Sequence, residues 1–218
     1  VQVNGLVKGV TDEAGSPIRS QMVRGPQTDG ASKWNTIFEA TIPAMGYRLY
    51  WVYLDKEFDI PQENDQLKAS GNLIENEHIR LEIEEHSGYI KSLYDKINEK
   101  EVLQGAGAIP VVIDIHHCDT WAHNIFEFNK EIGRFTDAKI EVKETGPVRS
   151  LVRVTSRYNQ STLRQDYIIY SDSGVVHVKA KLDWREKLKM LKLAFPVNVM
   201  EPSVTYEIPY GFINRPAN

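Results

Sequence analysis

The densest group of chemically capable side chains is Asp114–His123, DIHHCDTWAH. It gathers three of the six histidines, the only cysteine, two aspartates and a tryptophan. Imidazole, thiolate and carboxylate are all metal ligands, so metal binding is one chemistry that these residue types could perform. Alternation argues against it. On an extended strand, neighbouring side chains point to opposite faces, so His116, His117 and Cys118 do not all converge. No CxxC or HExxH spacing accompanies them. The expectation is a polar loop at the rim of a sheet, with no metal.

Sugar recognition is a second chemistry open to this stretch. Asp119, Trp121 and His123 have like parity if the backbone is extended there. An indole face stacks on a pyranose ring, while carboxylate and imidazole bond sugar hydroxyls. These three are the candidate substrate-binding residues. The competing structural role is Trp121 as a core aromatic. A catalytic pair cannot be picked from 30 acidic residues, because a glycosidase pair is recognised by its separation in space. Glu82, Glu84 and Glu85 read as a solvated strand face. His78, His86 and His177 read as exposed or satisfied. No GxSxG, P-loop or GxGxxG is present, and no catalytic residue is assigned.

A loop of this kind needs a scaffold, and the chain spells one in strands. Ile79, Leu81 and Ile83 alternate with Arg80, Glu82 and Glu84, the two-residue period of a half-buried strand. Ser87-Gly88 breaks the run, and glycine supplies the positive φ of a tight turn. Tyr89–Tyr94 follows as a second strand, so a hairpin with one buried face is predicted. Ile109–Ile115, whose single charge is Asp114, reads as a buried strand running into the polar cluster. Val176, Val178, Ala180, Leu182 and Trp184 alternate with polar residues and predict a half-buried strand with Trp184 in the core. Further strands are predicted at Gln2–Val10, Ile18–Val23, Trp34–Ile42, Tyr47–Leu54, Lys139–Lys143, Val148–Arg157, Leu163–Tyr170, Leu188–Val199 and Val204–Ile208. No amphipathic helix of ordinary length appears. The fold class is therefore all-β, an antiparallel β-sandwich. The organisation expected is a small β-sandwich unit at 1–60, a linker at 61–71 and a large β-sandwich domain at 72–218 that is truncated at its C-terminus.

Composition bounds the function. The 218 residues are 41% hydrophobic and 26% charged, an ordinary globular composition. The net charge of −4 leaves no basic stripe for nucleic acid. No apolar run reaches the length of a membrane span. With Cys118 alone there is no internal disulfide, which fits a reducing compartment. No leader opens the chain, so a cytoplasmic location is expected. A start at Val1 inside a strand-like run, and an end at Asn218 with no closing element, set the expectation of a segment excised from a longer protein.

Five blocks carry a family resemblance, in order along the chain. They are TIFEATIPAMGYRLYWVY (Thr36–Tyr53), LIENEHIRLEIEEHSGYIKSLYDKINEKEVL (Leu73–Leu103), DTWAHNIFEFNKEIGR (Asp119–Arg134), ETGPVRSLVR (Glu144–Arg153) and LDWREKLKMLKLAFPVNVMEPSVTYEIPYGFINR (Leu182–Arg215). The chain resembles the C-terminal β region of glycoside hydrolase family 38, the α-mannosidases, and among these the bacterial members. The resemblance implies a supersandwich similar to galactose mutarotase that packs against an N-terminal catalytic domain. It also implies a parent enzyme that is a zinc-dependent retaining α-mannosidase acting on α-mannosides in mannose metabolism. The family's nucleophile, acid/base carboxylate and zinc ligands (two His and two Asp) lie in motifs that match nothing here. The zinc is expected in the full-length parent and not in this segment.

The role implied for the segment is non-catalytic: it supports the catalytic domain, and one loop, placed at 114–128, borders the substrate rim. Expected partners are an α-mannoside and the parent's own catalytic domain, with no nucleic acid and no membrane; an oligomer is compatible. One rival is a free-standing carbohydrate-binding module that uses Trp121. Another is an aldose-1-epimerase-like enzyme, which needs a converging acid and base, with His117 or His123 and a distant Glu as candidates.

Overall fold

The computed structural model describes residues 1–30, 32–58, 67–119 and 121–216. Positions 61–66 of the expected linker lie outside these residues. The far end of that linker, Lys68–Ser70, is strand.

Among the described residues there are nineteen strands and no helix. The N-terminal part holds β1 (Gly9–Asp12), β2 (Pro17–Ile18), β3 (Ser20–Val23), β4 (Asn35–Phe38) and β5 (Tyr50–Tyr53). Next come β6 (Lys68–Ser70), β7 (Leu73–Glu75), β8 (Ile79–Ile83), β9 (Ile90–Asp95) and β10 (Lys100–Glu101). Then follow β11 (Ile109–Asp114), β12 (Glu131–Arg134), β13 (Thr136–Glu144), β14 (Arg149–Tyr158), β15 (Ser161–Tyr170) and β16 (Val176–Asp183). The last are β17 (Lys189–Ala194), β18 (Ser203–Ile208) and β19 (Gly211–Pro216). Every named pairing is antiparallel.

Two sheets face each other across the main core. One is a five-stranded meander, β10-β9-β8-β7-β6, and the other is four-stranded, β13-β14-β15-β16. Ile74, Leu81, Ile83 and Ile90 from the first meet Val152, Val154, Tyr167 and Ile169 from the second, all fully or nearly buried. Strand β8 keeps the two-residue period: Ile79, Leu81 and Ile83 are buried while Arg80 is exposed. The alternation puts the apolar set on one side of the pleat, and its removal from water drives the two sheets together.

The β8–β9 connection differs from the tight turn expected at Ser87-Gly88. Six residues, Glu84–Tyr89, separate the strands. Gly88 still has a positive φ of 75°. Its second constraint is proximity: a Cβ there would stand 2.5 Å from Val154 Cγ1 and 2.7 Å from Ala138 Cβ. The loop lies flat on the opposing sheet, and only a glycine fits.

The N-terminal strands form a three-stranded sheet, β2-β1-β5, and a two-stranded one, β3-β4. A strand through Gln2–Val10 does not form; β1 begins at Gly9, and Gly5 carries a φ of 121° that interrupts extension. This part docks through side chains. Gln21 Oε1 accepts from the Val148 and Arg149 amides at 3.2 and 2.9 Å. Ser171 Oγ donates to Glu39 at 2.9 Å.

The third layer positions the candidate loop. Strand β11 lies between β12 and β17 in a three-stranded sheet. Val112, buried in β11, packs with Phe135 and Leu163 in a second small core flanked by Tyr158, Trp184 and Leu191. Strand β16 corrects the expectation of a half-buried strand. It is the outer strand of its sheet, and Val178 and Leu182 are 42% and 41% exposed. Val176 reaches the main core and Trp184 the second one, but the facing meander does not extend over the residues between them.

Candidate functional site

Strand β11 delivers its last residue, Asp114, from the centre of a sheet, paired on one side with Lys189 and bonded on the other to Lys130. The strand then ends in a turn closed by the Cys118 amide donating to the Ile115 carbonyl at 2.9 Å. His116 and His117 occupy the two central positions of that turn. They are therefore not held to opposite faces, because the backbone is no longer extended there. One ligand atom each from Asp114, His116 and His117 lies within 4.8 Å of the others. The Asp114 carboxylate accepts from Lys130 Nζ at 2.8 Å, from the His116 amide at 3.1 Å, and sits 2.7 Å from His116 Nδ1. The Lys130 bond is the main cause holding the Asp114 carboxyl well below the usual carboxylate range. Cys118 is half-buried and is not part of this group.

The candidate sugar-binding residues follow directly. They do not share a face by strand parity, as expected, because this backbone is turned as well. The Ala122 amide donates to the Asp119 carbonyl and the Ile125 amide to the Ala122 carbonyl, each at 3.1 Å, and Ala122 and Asn124 have φ values of 53° and 59°. Asp119 and His123 nevertheless meet, through the turn. His123 Nδ1 lies 2.5 Å from Asp119 Oδ2, and Asp119 Oδ1 accepts the Trp121 and His123 amides at 3.0 Å. The His123 bond is the first cause of the lowered Asp119 pKa. Trp121 is 80% exposed and Phe126 94%, so Trp121 is not a core aromatic in this chain. The loop thus presents an ordered carboxylate–imidazole pair beside an uncovered indole, groups able to bond hydroxyls and to stack on a ring. At its far end Lys192 donates to the Phe128 carbonyl and lies over the Phe128 ring, which ties the loop to β17.

Among the described residues, His123 bonds Asp119, and no hydrogen bond or ion pair joins His117 or His123 to a glutamate. Two features escaped the sequence. A cleft of about 510 Å³ opens between β4 and the Val148 and Tyr170 edge of the four-stranded sheet. A second, of about 450 Å³, is bordered by Arg24, Trp34, Lys143 and Arg153, with the Arg24 guanidinium 5.8 Å from the Trp34 ring centre. Both join residues more than a hundred positions apart, so no local pattern announces them. Glu84, expected on a solvated face, has a side chain 41% exposed and also caps its own loop by accepting the His86 and Ser87 amides.

Residues 74–218 match the family model described as the glycosyl hydrolases family 38 C-terminal domain. Alpha-mannosidase G of Dictyostelium discoideum is 30% identical over 170 residues, covering 72% of this chain and 15% of that protein. Alpha-mannosidase 2C1 of Mus musculus is 33% identical over 58 residues, 27% of this chain and 6% of that protein. Among solved structures, an α-mannosidase from Enterococcus faecalis V583 superposes with a TM-score of 0.68 over 99% of this chain and 29% of its own, at 14% identity. A second Enterococcus faecalis protein, of glycosyl hydrolase family 38, gives 0.66 over 98% of this chain and 30% of its own, at 17% identity. The chain thus spans less than a third of the length of each of these proteins, and the two structures speak to its fold. On the family match, the chain belongs to the family 38 glycosyl hydrolases, within their C-terminal domain.

Proposed function

We propose that this chain is a non-catalytic β region of a zinc-dependent retaining α-mannosidase, supporting the catalytic part and lending its 114–128 loop to the substrate rim. The observation that carries this reading is the match of residues 74–218 to the C-terminal domain of the family. The parent would cleave α-mannosides by double displacement through a covalent mannosyl–enzyme intermediate. A zinc bound in that enzyme would act as a Lewis acid toward substrate oxygens. Its ligands belong to motifs that this chain does not match, so no residue here is assigned to it.

This chain's own contribution is binding. Trp121 offers a flat apolar face, and Asp119 and His123, already locked together, offer an acceptor and a donor to hydroxyls without further loss of side-chain freedom. The purified chain is expected not to hydrolyse an aryl α-mannoside, with or without added zinc; zinc-stimulated turnover would overturn the non-catalytic reading. In the full-length enzyme, Trp121→Ala should raise KM about three- to tenfold with little change in kcat, the effect of losing one stacking contact worth about 0.5–1.5 kcal/mol. An unchanged KM removes the loop from the rim. Calorimetry of the chain with mannose and mannobiose addresses the carbohydrate-binding module: strong heat lost in Trp121→Ala would favour it.

A further inference from the structure

We propose that Asp114, His116 and His117 form a binding site for a divalent transition-metal ion of the zinc class. The grouping is geometric, since the three ligand atoms lie within 4.8 Å of one another. A metal with bonds of about 2.0–2.2 Å places its donors roughly 3.4 Å apart in a tetrahedron. His116 and His117 are exposed, and rotation about their side-chain bonds closes the remaining distance. The site is built on a firm base. Asp114 ends a strand hydrogen-bonded on both sides, and the turn carrying both imidazoles is closed by its own backbone bond. Two nitrogens and one carboxylate oxygen suit zinc, cobalt(II) or nickel(II) rather than calcium or magnesium, which take oxygen ligands.

One cation already competes for the carboxylate. Lys130 Nζ is 2.8 Å from Asp114 Oδ2, in an ion pair whose lysine is exposed and whose carboxylate is largely covered. A metal would displace Lys130 from Asp114 and leave the ammonium to water. Bound there, the ion would fasten the two histidines to the end of β11. This is the root of the loop that carries Asp119, Trp121 and His123.

The test is isothermal titration of the metal-free 218-residue chain with Zn²⁺, repeated with Co²⁺ while its visible absorption is followed. One equivalent should bind. His116→Ala and His117→Ala should each weaken binding by at least about tenfold, while His86→Ala and Cys118→Ser should leave it unchanged. Lys130→Met should tighten it, an effect that misfolding cannot imitate. Absence of binding overturns the proposal, as does binding that survives both histidine substitutions. Unchanged or weaker binding in Lys130→Met removes Asp114 as the third ligand, and with it the site.

Discussion

Asn76 shows how much one side chain can hold. It is fully buried, and it donates from Nδ2 to the Tyr170 and Ser173 carbonyls at 2.7 Å each. Its Oδ1 accepts the His78 and Ile79 amides at 2.9 and 2.8 Å. Both sides of the amide are therefore used, and the end of β7 is tied to the β15–β16 turn across the sandwich. Removing it strands two amides and two carbonyls where solvent reaches poorly. Asn76→Ala should cost about 2–4 kcal/mol of unfolding free energy in urea denaturation. Asn76→Asp should be no milder, because a carboxylate cannot donate to the two carbonyls. A loss below about 1 kcal/mol in both variants would show that the two sheets do not depend on this bridge.

At the scale of the element, the β8–β9 hairpin and the 114–128 loop divide what the sequence reveals from what it hides. The hairpin's period is carried by Ile79, Leu81 and Ile83, and burial follows it because the opposite sheet covers that face. The connecting loop was less legible. Glu84 carries no pattern distinguishing it from Glu82 or Glu85, yet its carboxylate accepts the Ser87 amide at 2.6 Å and the His86 amide at 3.1 Å. These bonds, that to the Ser87 amide first, bring its pKa from 4.5 down to about 2. A carboxylate depressed on folding stabilises fully above its unfolded value, here about pH 4.5, and the contribution disappears as pH falls through about 2. Glu84→Gln should therefore be less stable than the unchanged chain at pH 6, and the gap should close toward pH 2. Thermal melts across that range would read it, and a gap independent of pH would remove the charge from the cap. In the 114–128 loop the residue types were legible but their geometry was not. Asn124 is a residue that tolerates φ above zero, but Ala122 is not, and both take it here. Parity counted along an extended backbone therefore grouped Asp119 with His123 on a strand face, whereas a turn brings them together. It missed the convergence of His116 and His117, whose turn begins one residue beyond the strand.

For the whole molecule, the same alternation that identifies β16 raises the question of what covers it. Tyr167 and Val178 are cross-strand partners on one face, as are Leu163 and Leu182. Tyr167 and Leu163 are buried, whereas Val178 and Leu182 remain about two-fifths exposed. The outer face of β16 carries His177, Lys179, Lys181 and Asp183, charges that discourage pairing at this edge. The inner face has no such guard. Further uncovered apolar residues lie in the C-terminal third, among them Phe195, Met200 and Phe212. A large uncovered apolar patch is rare on a monomer in water and marks a contact region. On the proposed reading, the remainder of the parent enzyme packs there. The chain by itself should associate through this face as concentration rises, seen by light scattering coupled to gel filtration between about 5 and 200 µM. Val178→Lys with Leu182→Lys should shift it toward monomer, because each uncovered side chain contributes on the order of 1 kcal/mol when an interface removes it from water. The same pair should leave the melting temperature nearly unchanged, since neither residue is enclosed in the fold. Association that persists in the double variant would place the contact elsewhere, and a chain that stays monomeric throughout would mean that this face tolerates water without a partner.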